Sequence, residues 1–319
     1  MYRRGDNMKK IISILLVLFV SVFAFGCKEK EKTYLLTPEG IPLVAIGGVV
    51  SEFEVTTTPG PQVLQSELVQ DNYDVIVAPV TLGAQLSIKG SINYKIAGLI
   101  TFDNMYIVSK KNVTLNSIND LNGKTIYAYG QNQPSDIMLK YALEKSGVIC
   151  TIEYADSVAT VVSSYFLPGN ADYALVAEPY LSKIKQKVEV NVIDVASVLR
   201  NLSEGSVEFI PQAAIYVYKE LSKSQIKKIL KVIEDNIAAL NKDNSAYAKL
   251  LLEQDSNLYP LFTNLGEDVL SGVCLNAGIN YLKAYDNKAK LEEFFGIVDK
   301  ANKNLFNGQV PSEDFYFKY

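Results

Sequence analysis

Polar and apolar positions along this chain change their period many times. Short apolar runs bounded by Pro, Gly and Asn read as buried strands. Between them lie stretches with apolar residues three and four apart, which read as amphipathic helices. Tyr34-Leu35-Leu36 reads as a strand. Thr37-Pro38-Glu39-Gly40-Ile41-Pro42 then turns into a helix, with Pro42 near the first position, where a missing N–H costs nothing. Phe53 to Thr57 predicts the next strand, and Gln62 to Val69 a helix after Pro59-Gly60-Pro61. Asp74 to Ala78 is a short buried strand that enters Pro79-Val80-Thr81 and a helix reaching Ile88. Tyr94 to Val108 is a long extended stretch interrupted at Asp103-Asn104. Ser117 and Asp120 have capping-box spacing. A strand at Thr125 to Tyr129, a loop at Gly130 to Pro134 and a helix from Ser135 follow. Ala171 to Ala177 is a strand, and Glu178-Pro179-Tyr180 opens another helix. Val190 to Asp194 is strand-like, and Ala213 to Tyr218 is a second long apolar crossing segment. From Ser222 the period turns helical, with Ile226, Ile229, Leu230, Ile233, Ile237 and Leu240 on one face that must be core. Strands separated by helices predict parallel sheets in an α/β fold.

The start of the chain has a different pattern. Met8-Lys9-Lys10 is followed by an apolar run, Ile11 to Phe25, and then Gly26-Cys27. A basic start, an apolar stretch and a small residue before a cut are the parts of a secretory signal, and the run falls short of the roughly 20 residues that span a bilayer. With Cys directly after the small residue, the segment resembles a bacterial lipoprotein signal. Phe25 departs from that pattern, which usually has a small or β-branched residue there. The resemblance implies that residues 1–26 are removed and that Cys27 is lipidated. Residues 27–32 then form a charged spacer, with Lys and Glu alternating. A plain membrane anchor is the alternative, and either Met1 or Met8 can be the start.

Composition prunes the chemistry. The chain has 319 residues, 48% of them apolar, which after the signal leaves material for two lobes with full cores. Net charge is −4, and the basic residues form no block outside the helix near 223–231, so no nucleic-acid partner is expected. There is no His, which removes Ser-His-Asp and Cys-His nucleophiles and the usual His-containing metal sites. Three Cys cannot close a four-thiolate site. Arg occurs only at Arg3, Arg4 and Arg200, so a ligand clamp of several Arg forks cannot be built in the body. No metal or cofactor is implied. Carboxylate hydrolysis remains formally open, but no acidic pair stands out.

Four segments together resemble the substrate-binding lipoproteins of ABC importers, in the group taking nitrate, sulfonates, taurine or thiamine pyrimidines. They are Thr37-Pro38-Glu39-Gly40; Asp74 to Pro79 before a helix; Tyr94-Lys95-Ile96-Ala97-Gly98 running into Met105-Tyr106-Ile107-Val108; and Asp120-Leu121-Asn122-Gly123-Lys124-Thr125-Ile126. Ala177-Glu178-Pro179 and Ile210-Pro211-Gln212-Ala213 add to them. The resemblance implies a type II periplasmic-binding-protein fold: two α/β lobes, two crossing hinge strands and a ligand cleft between the lobes. The crossings fall at Thr101 to Met105 and Phe209 to Ala213. One lobe holds residues 33–102 and 211–319, the other 103–210. A monomer is expected, lipid-anchored on the outer face of the bacterial cell membrane, binding a small molecule and working with permease and ATPase subunits. Cys150 and Cys274 then lie in different lobes and are expected to stay unpaired. Two other readings remain: a surface sensor or adhesive lipoprotein without a transporter, or a catalytic relative. The fungal thiamine-pyrimidine synthase resembles this group and uses a His and bound iron, which a chain without His cannot do.

In open α/β sheets, ligands sit at the carboxyl ends of strands, where helix N-termini present free N–H groups. The loops 37–40, 79–81, 130–135 and 177–180 occupy that position. Candidate ligand contacts are therefore Thr37, Glu39, Gly40, Pro79, Thr81, Asp103, Asn104, Gln131, Gln133, Ser135, Glu178, Tyr180 and Gln212. Thr81 and Ser135 stand where helix N-caps are expected, and Glu178 can cap its own helix. Asp103 and Asn104 can be hinge rather than contact. Tyr127, Tyr129 and Tyr180 can stack on a flat ligand, although most of the 20 Tyr must be core or surface. The acidic residues and scarce Arg favour a neutral or cationic heterocycle; a sulfonate- or nitrate-type anion held by helix N-termini and hydroxyls is the other class.

Overall fold

Two sheets divide the strands between them. The computed structural model describes residues 32–58, 61–203, 207–254, 262, 265–302 and 305–319. The signal segment and Cys27 lie outside these residues. The first sheet holds β1 (Thr33–Pro38), β2 (Phe53–Thr58), β3 (Val75–Pro79), β4 (Tyr94–Phe102), β10 (Pro211–Tyr218) and β11 (Ile279–Lys283), in the order β11-β4-β10-β3-β1-β2. The second holds β5 (Tyr106–Lys110), β6 (Thr125–Tyr129), β7 (Thr151–Ala155), β8 (Tyr173–Val176) and β9 (Val190–Asp194), in the order β7-β6-β8-β5-β9.

The sheets are mixed, not parallel as the alternation predicted. β1 runs parallel to β2 and β3, and β6 parallel to β7 and β8. In contrast, β10 is antiparallel to both β3 and β4, and β5 is antiparallel to β8 and β9. The cause is the chain path. β4 leaves the first sheet for the second and β10 brings the chain back, so these neighbours must run in opposite directions. β7 and β11 were not foreseen. Both are edge strands with partly exposed residues, so neither carries a buried run.

Both sheets are covered on both faces, and period-2 alternation sorts their side chains between separate cores. In β3, Ile76 and Ala78 join one cluster while Val75 and Val77 join another. In β8, Tyr173 and Leu175 face the first cluster while Ala174 and Val176 face a third. The covering helices that matter below are α1 (Ile41–Ile46), α2 (Pro61–Glu67), α3 (Val80–Ile88), α4 (Pro134–Lys145), α5 (Val158–Thr160), α6 (Tyr180–Lys185), α7 (Val195–Leu202), α8 (Lys223–Lys242), α9 (Asn244–Leu252), α10 (Glu267–Asn276) and α11 (Lys288–Ala301). The predicted apolar face of α8 is wholly buried, each Ile or Leu contributing about 1.5–3 kcal/mol. A capping box of Ser222 and Gln225 starts that helix. No helix among the described residues is long and apolar enough to cross a membrane.

Candidate functional site

The chain passes between the sheets at 103–105 and again before Pro211, and the two passages are bonded to each other. Asp103 N donates to Ile210 O at 3.0 Å, and Ile210 N donates to the Asp103 carboxylate at 2.9 Å. Arg200 on α7 donates to the other carboxylate oxygen at 2.9 Å. Asp103 holds a left-handed φ of 58°, which short polar residues tolerate best. Burial raises its carboxyl above the ordinary range, against the pull of Ile210 N–H and Arg200. Both its oxygens are thus engaged in the hinge. A third segment meets them there: Phe102 N donates to Gly278 O at 2.9 Å.

Next to this clasp, polar side chains from several loops form a continuous network. Asn104, 3% exposed, accepts from Glu178 N at 2.8 Å and donates to Glu178 O at 3.4 Å. Gln212 donates to Asn104 O at 3.3 Å and to Ser135 Oγ at 3.4 Å. Ser135 bonds in turn to the Tyr129 hydroxyl, which burial pushes up to about 12. Glu178 accepts from Ser182 N at 3.0 Å and Ser182 Oγ at 2.9 Å, so it does hold the first turn of its helix. The residue is 6% exposed, and burial raises its carboxyl above the ordinary range against those two bonds and the charge of Lys185. Asn104, Ser135, Glu178 and Gln212 are thereby brought together from both passages and two strand-end loops.

The first sheet contributes the facing wall. Thr37 is buried at the end of β1 and turns its hydroxyl to Pro38 O at 3.2 Å. Glu39 is exposed, and Gly40 stands at the N-cap of α1 with φ 94°. Burial, and then the charge of Glu39, raise the Tyr180 hydroxyl. Pro79 and Gln133 are the N-caps of α3 and α4, which corrects the placement of Thr81 and Ser135 as caps. Each sits two residues further in, at the second helical position, Thr81 buried and Ser135 half-buried. Pro134 at the first helical position explains the shift at α4, since Pro favours that place. Gln131 is exposed. Gln133 Oε1 is buried with no hydrogen-bond partner. Tyr127 is spent on stacking with Tyr165, centroids 4.4 Å apart.

Sequence reasoning missed three residues here. Thr58 Oγ1, at the carboxyl end of β2, is buried without a partner, and its residue is 4% exposed. Tyr106 at the start of β5 donates across to Asn276 O on α10 at 3.3 Å. Arg200 was noted only as a scarce cation, and it is spent on Asp103. Cys150 is half-buried and Cys274 buried on α10, both as free thiols, with burial pushing Cys274 up to about 12. No group of three or more potential metal ligands occurs among the described residues.

An ABC transporter protein from Parabacteroides distasonis superposes with TM-score 0.73 at 19% identity, covering 90% of this chain and 99% of that one. The periplasmic aliphatic sulphonate binding protein SsuA from Escherichia coli superposes at 0.66 with 15% identity, over 90% and 92%. SsuA from Xanthomonas axonopodis pv. citri, an alkanesulfonate-binding protein bound to MOPS, gives 0.64 with 12% identity over 90% and 98%. The chain has the two-lobed periplasmic-binding-protein fold. Residues 89–241 match the family model described as NMT1/THI5 like, a stretch that includes both passages of this binding-protein fold. No curated protein matches the sequence. The Asn104–Glu178–Gln212–Ser135 network adjoins the two passages that connect the sheets.

Proposed function

We propose that this chain is a lipid-anchored, extracytoplasmic solute-binding protein that captures a small molecule between its lobes and delivers it to the permease and ATPase of an ABC importer. The lobes are 33–102 with 211–319, and 103–210; closure bends the paired passages between them. The observation that carries this reading is the network in which Gln212 joins Asn104 and Ser135, because it ties the hinge to strand-end loops that face a second wall. Such a device is suited to bind a small molecule and to move with it.

The ligand class that fits best is a neutral or cationic heterocycle of the thiamine-pyrimidine kind. Glu178 is buried with no cation bonded to it, so a donor or positive group on the ligand would relieve its desolvation. The orphaned oxygens of Gln133 and Thr58 ask for hydrogen bonds, and the Tyr180 ring offers a face. A sulfonate- or nitrate-type anion is the second reading, supported by the loops that open α3 and α4 and by the ligands named for the two SsuA proteins.

A thermal-shift screen over pyrimidines, sulfonates and nitrate tests the class, since a ligand at about 100 times its Kd adds roughly 2.7 kcal/mol. Glu178→Ala and Gln131→Ala each remove a polar partner, costing about 1–3 kcal/mol, or roughly ten- to hundredfold in affinity by calorimetry. Unchanged affinity in both variants refutes this placement of the site. For the anchor, Cys27→Ser should release the protein from membranes or leave the precursor uncut; wild-type fractionation and migration would refute lipidation.

A further inference from the structure

The strands of the first sheet give the lobe two poles. Pro38, Thr58, Pro79 and Phe102 end their strands at the cleft, and Pro211 begins β10 there. At the other pole stand Thr33, Val75, Tyr94 and Tyr218. Thr33 opens the first described strand, so the chain enters the fold at the pole away from the cleft. Tyr34 N donates to the Asp74 carboxylate at 2.8 Å, and Tyr218 N donates to Asp74 O at 3.0 Å. The entry point is therefore one residue's width from β10 and the segment that follows it.

That segment is basic. Lys219 donates to Asn93 Oδ1 at 2.9 Å, and it shares a shallow depression with Lys95, Lys223 and Lys318. From there α8 runs on with Lys223, Lys227 and Lys231 at four-residue steps and Lys228 beside them, a stripe about 12 Å long. All four are exposed. Among the described residues Lys223, Lys227 and Lys228 form no ion pair, while Lys231 pairs with Asp235. Glu220, Glu313 and Asp314 lie nearby, but Glu313 is already held by Lys288 and Lys318. The chain as a whole is acidic, at −4, so a face of unpaired lysines is a local reversal of its field.

We propose that this face, Lys219, Lys223, Lys227 and Lys228 with Lys95 and Lys231, docks on the anionic lipid surface of the membrane that holds the tether. The inference rests on the lipid-anchor reading. Two features select this occupant. From Cys27 to Lys32 the chain takes five residue steps, reaching at most about 18 Å, so the entry pole cannot leave the vicinity of the headgroups. The charge of the face complements that of anionic lipids, each lysine near such a surface being worth about fivefold in binding. Docked this way, the lobe stands on its entry pole with the cleft turned toward the medium, the orientation suited to capture. Delivery needs the lobe to tip over, so a weak, reversible contact suits the cycle.

The test uses the chain beginning at Lys28, which keeps every element of the described fold and cannot be lipidated. It is sedimented with vesicles of phosphatidylcholine alone or mixed equally with phosphatidylglycerol. Expected is binding to the anionic vesicles only, falling steeply with added salt, and reduced about a hundredfold by Lys223→Gln, Lys227→Gln and Lys228→Gln together. Lys183→Gln with Lys187→Gln, on the second lobe, should change nothing. No binding to anionic vesicles at low salt, equal binding to neutral ones, or an undiminished triple variant would each overturn the proposal. Capture by a soluble polyanion without vesicle binding would overturn it too. Full-length Cys27→Ser that still fractionates as wild type sinks the lipid anchor instead, and leaves the vesicle result to stand or fall alone.

Discussion

The two walls of the cleft are built in different ways. On one side, mostly from the second sheet's loops with Gln212 reaching in from β10, polar atoms are already bonded to one another: Tyr129 to Ser135, Ser135 to Gln212, Gln212 and Glu178 to Asn104, Glu178 to Ser182. On the first-lobe side, Thr37 turns only to its neighbour's carbonyl and Thr58 turns to nothing. A bonded network is preorganised and stiff, and breaking one link leaves its partner stranded. An idle hydroxyl costs stability until something binds it. One wall therefore sets the geometry while the other holds unused bonding capacity. Substitutions on the two should move stability and affinity in opposite senses.

The largest expected effect is at the hinge that the stiff wall shares. Gly278 has φ 64°, and a Cβ there would sit 2.0 Å from Phe102 O. Gly278→Ala should cost about 3 kcal/mol or more, from overpacking against backbone that cannot give way and from left-handed strain. Chemical denaturation measures it; a loss below about 1 kcal/mol would mean that the third segment is not fixed to the hinge. Asn104→Ala comes next, at about 1–3 kcal/mol, because the buried Glu178 N–H and carbonyl lose the side-chain amide that pairs with them. If Gln212→Ala and Ser135→Ala prove additive in a double-mutant cycle, the side-chain link between them is not real and the network is not connected.

A smaller effect has a pH signature. The Glu178 carboxyl titrates above its ordinary 4.5 in the fold, so the native state keeps its proton longer than the unfolded chain. Its contribution to stability is therefore greatest below the ordinary value, and it falls as pH rises through the raised one. Glu178→Gln should match the wild type in melting temperature at about pH 3–4 and exceed it at neutral pH. A difference that does not change with pH would contradict the burial argument. The smallest effect is at the idle wall. Thr58→Val keeps the shape and removes an unpaired hydroxyl, so the ligand-free protein should be equally or slightly more stable. If Thr58 is a ligand contact, affinity falls while stability does not. A marked loss of stability would instead mean that the hydroxyl has a structural partner.

Strands with continuous apolar runs, such as Val75 to Ala78 and Ala213 to Val217, were legible because burial on both faces leaves few polar positions to interrupt them. The edge strands β7 and β11 had no such run. Strand direction was hidden as well, since an apolar segment reads the same in either sense and only the path between lobes fixes it. The candidate loops could be found by their position after strands. Which of their side chains meet could not, because Asn104 and Glu178 are 74 residues apart, and Asp103 and Arg200 97 apart. Thr58 fell one residue past a predicted strand, with no mark to set it apart from Thr56 or Thr57.

The reciprocal bonds between Asp103 and Ile210 also restrict how the lobes can move. Two separate threads would let one body swing, twist and slide against the other. Threads laced together behave as one ribbon, and a short ribbon flexes readily about a single axis. Lobe motion is then reduced to nearly one degree of freedom. On the proposed binding function, the angle between the lobes would then gauge whether the cleft is filled, in a form that a partner touching both lobes could read.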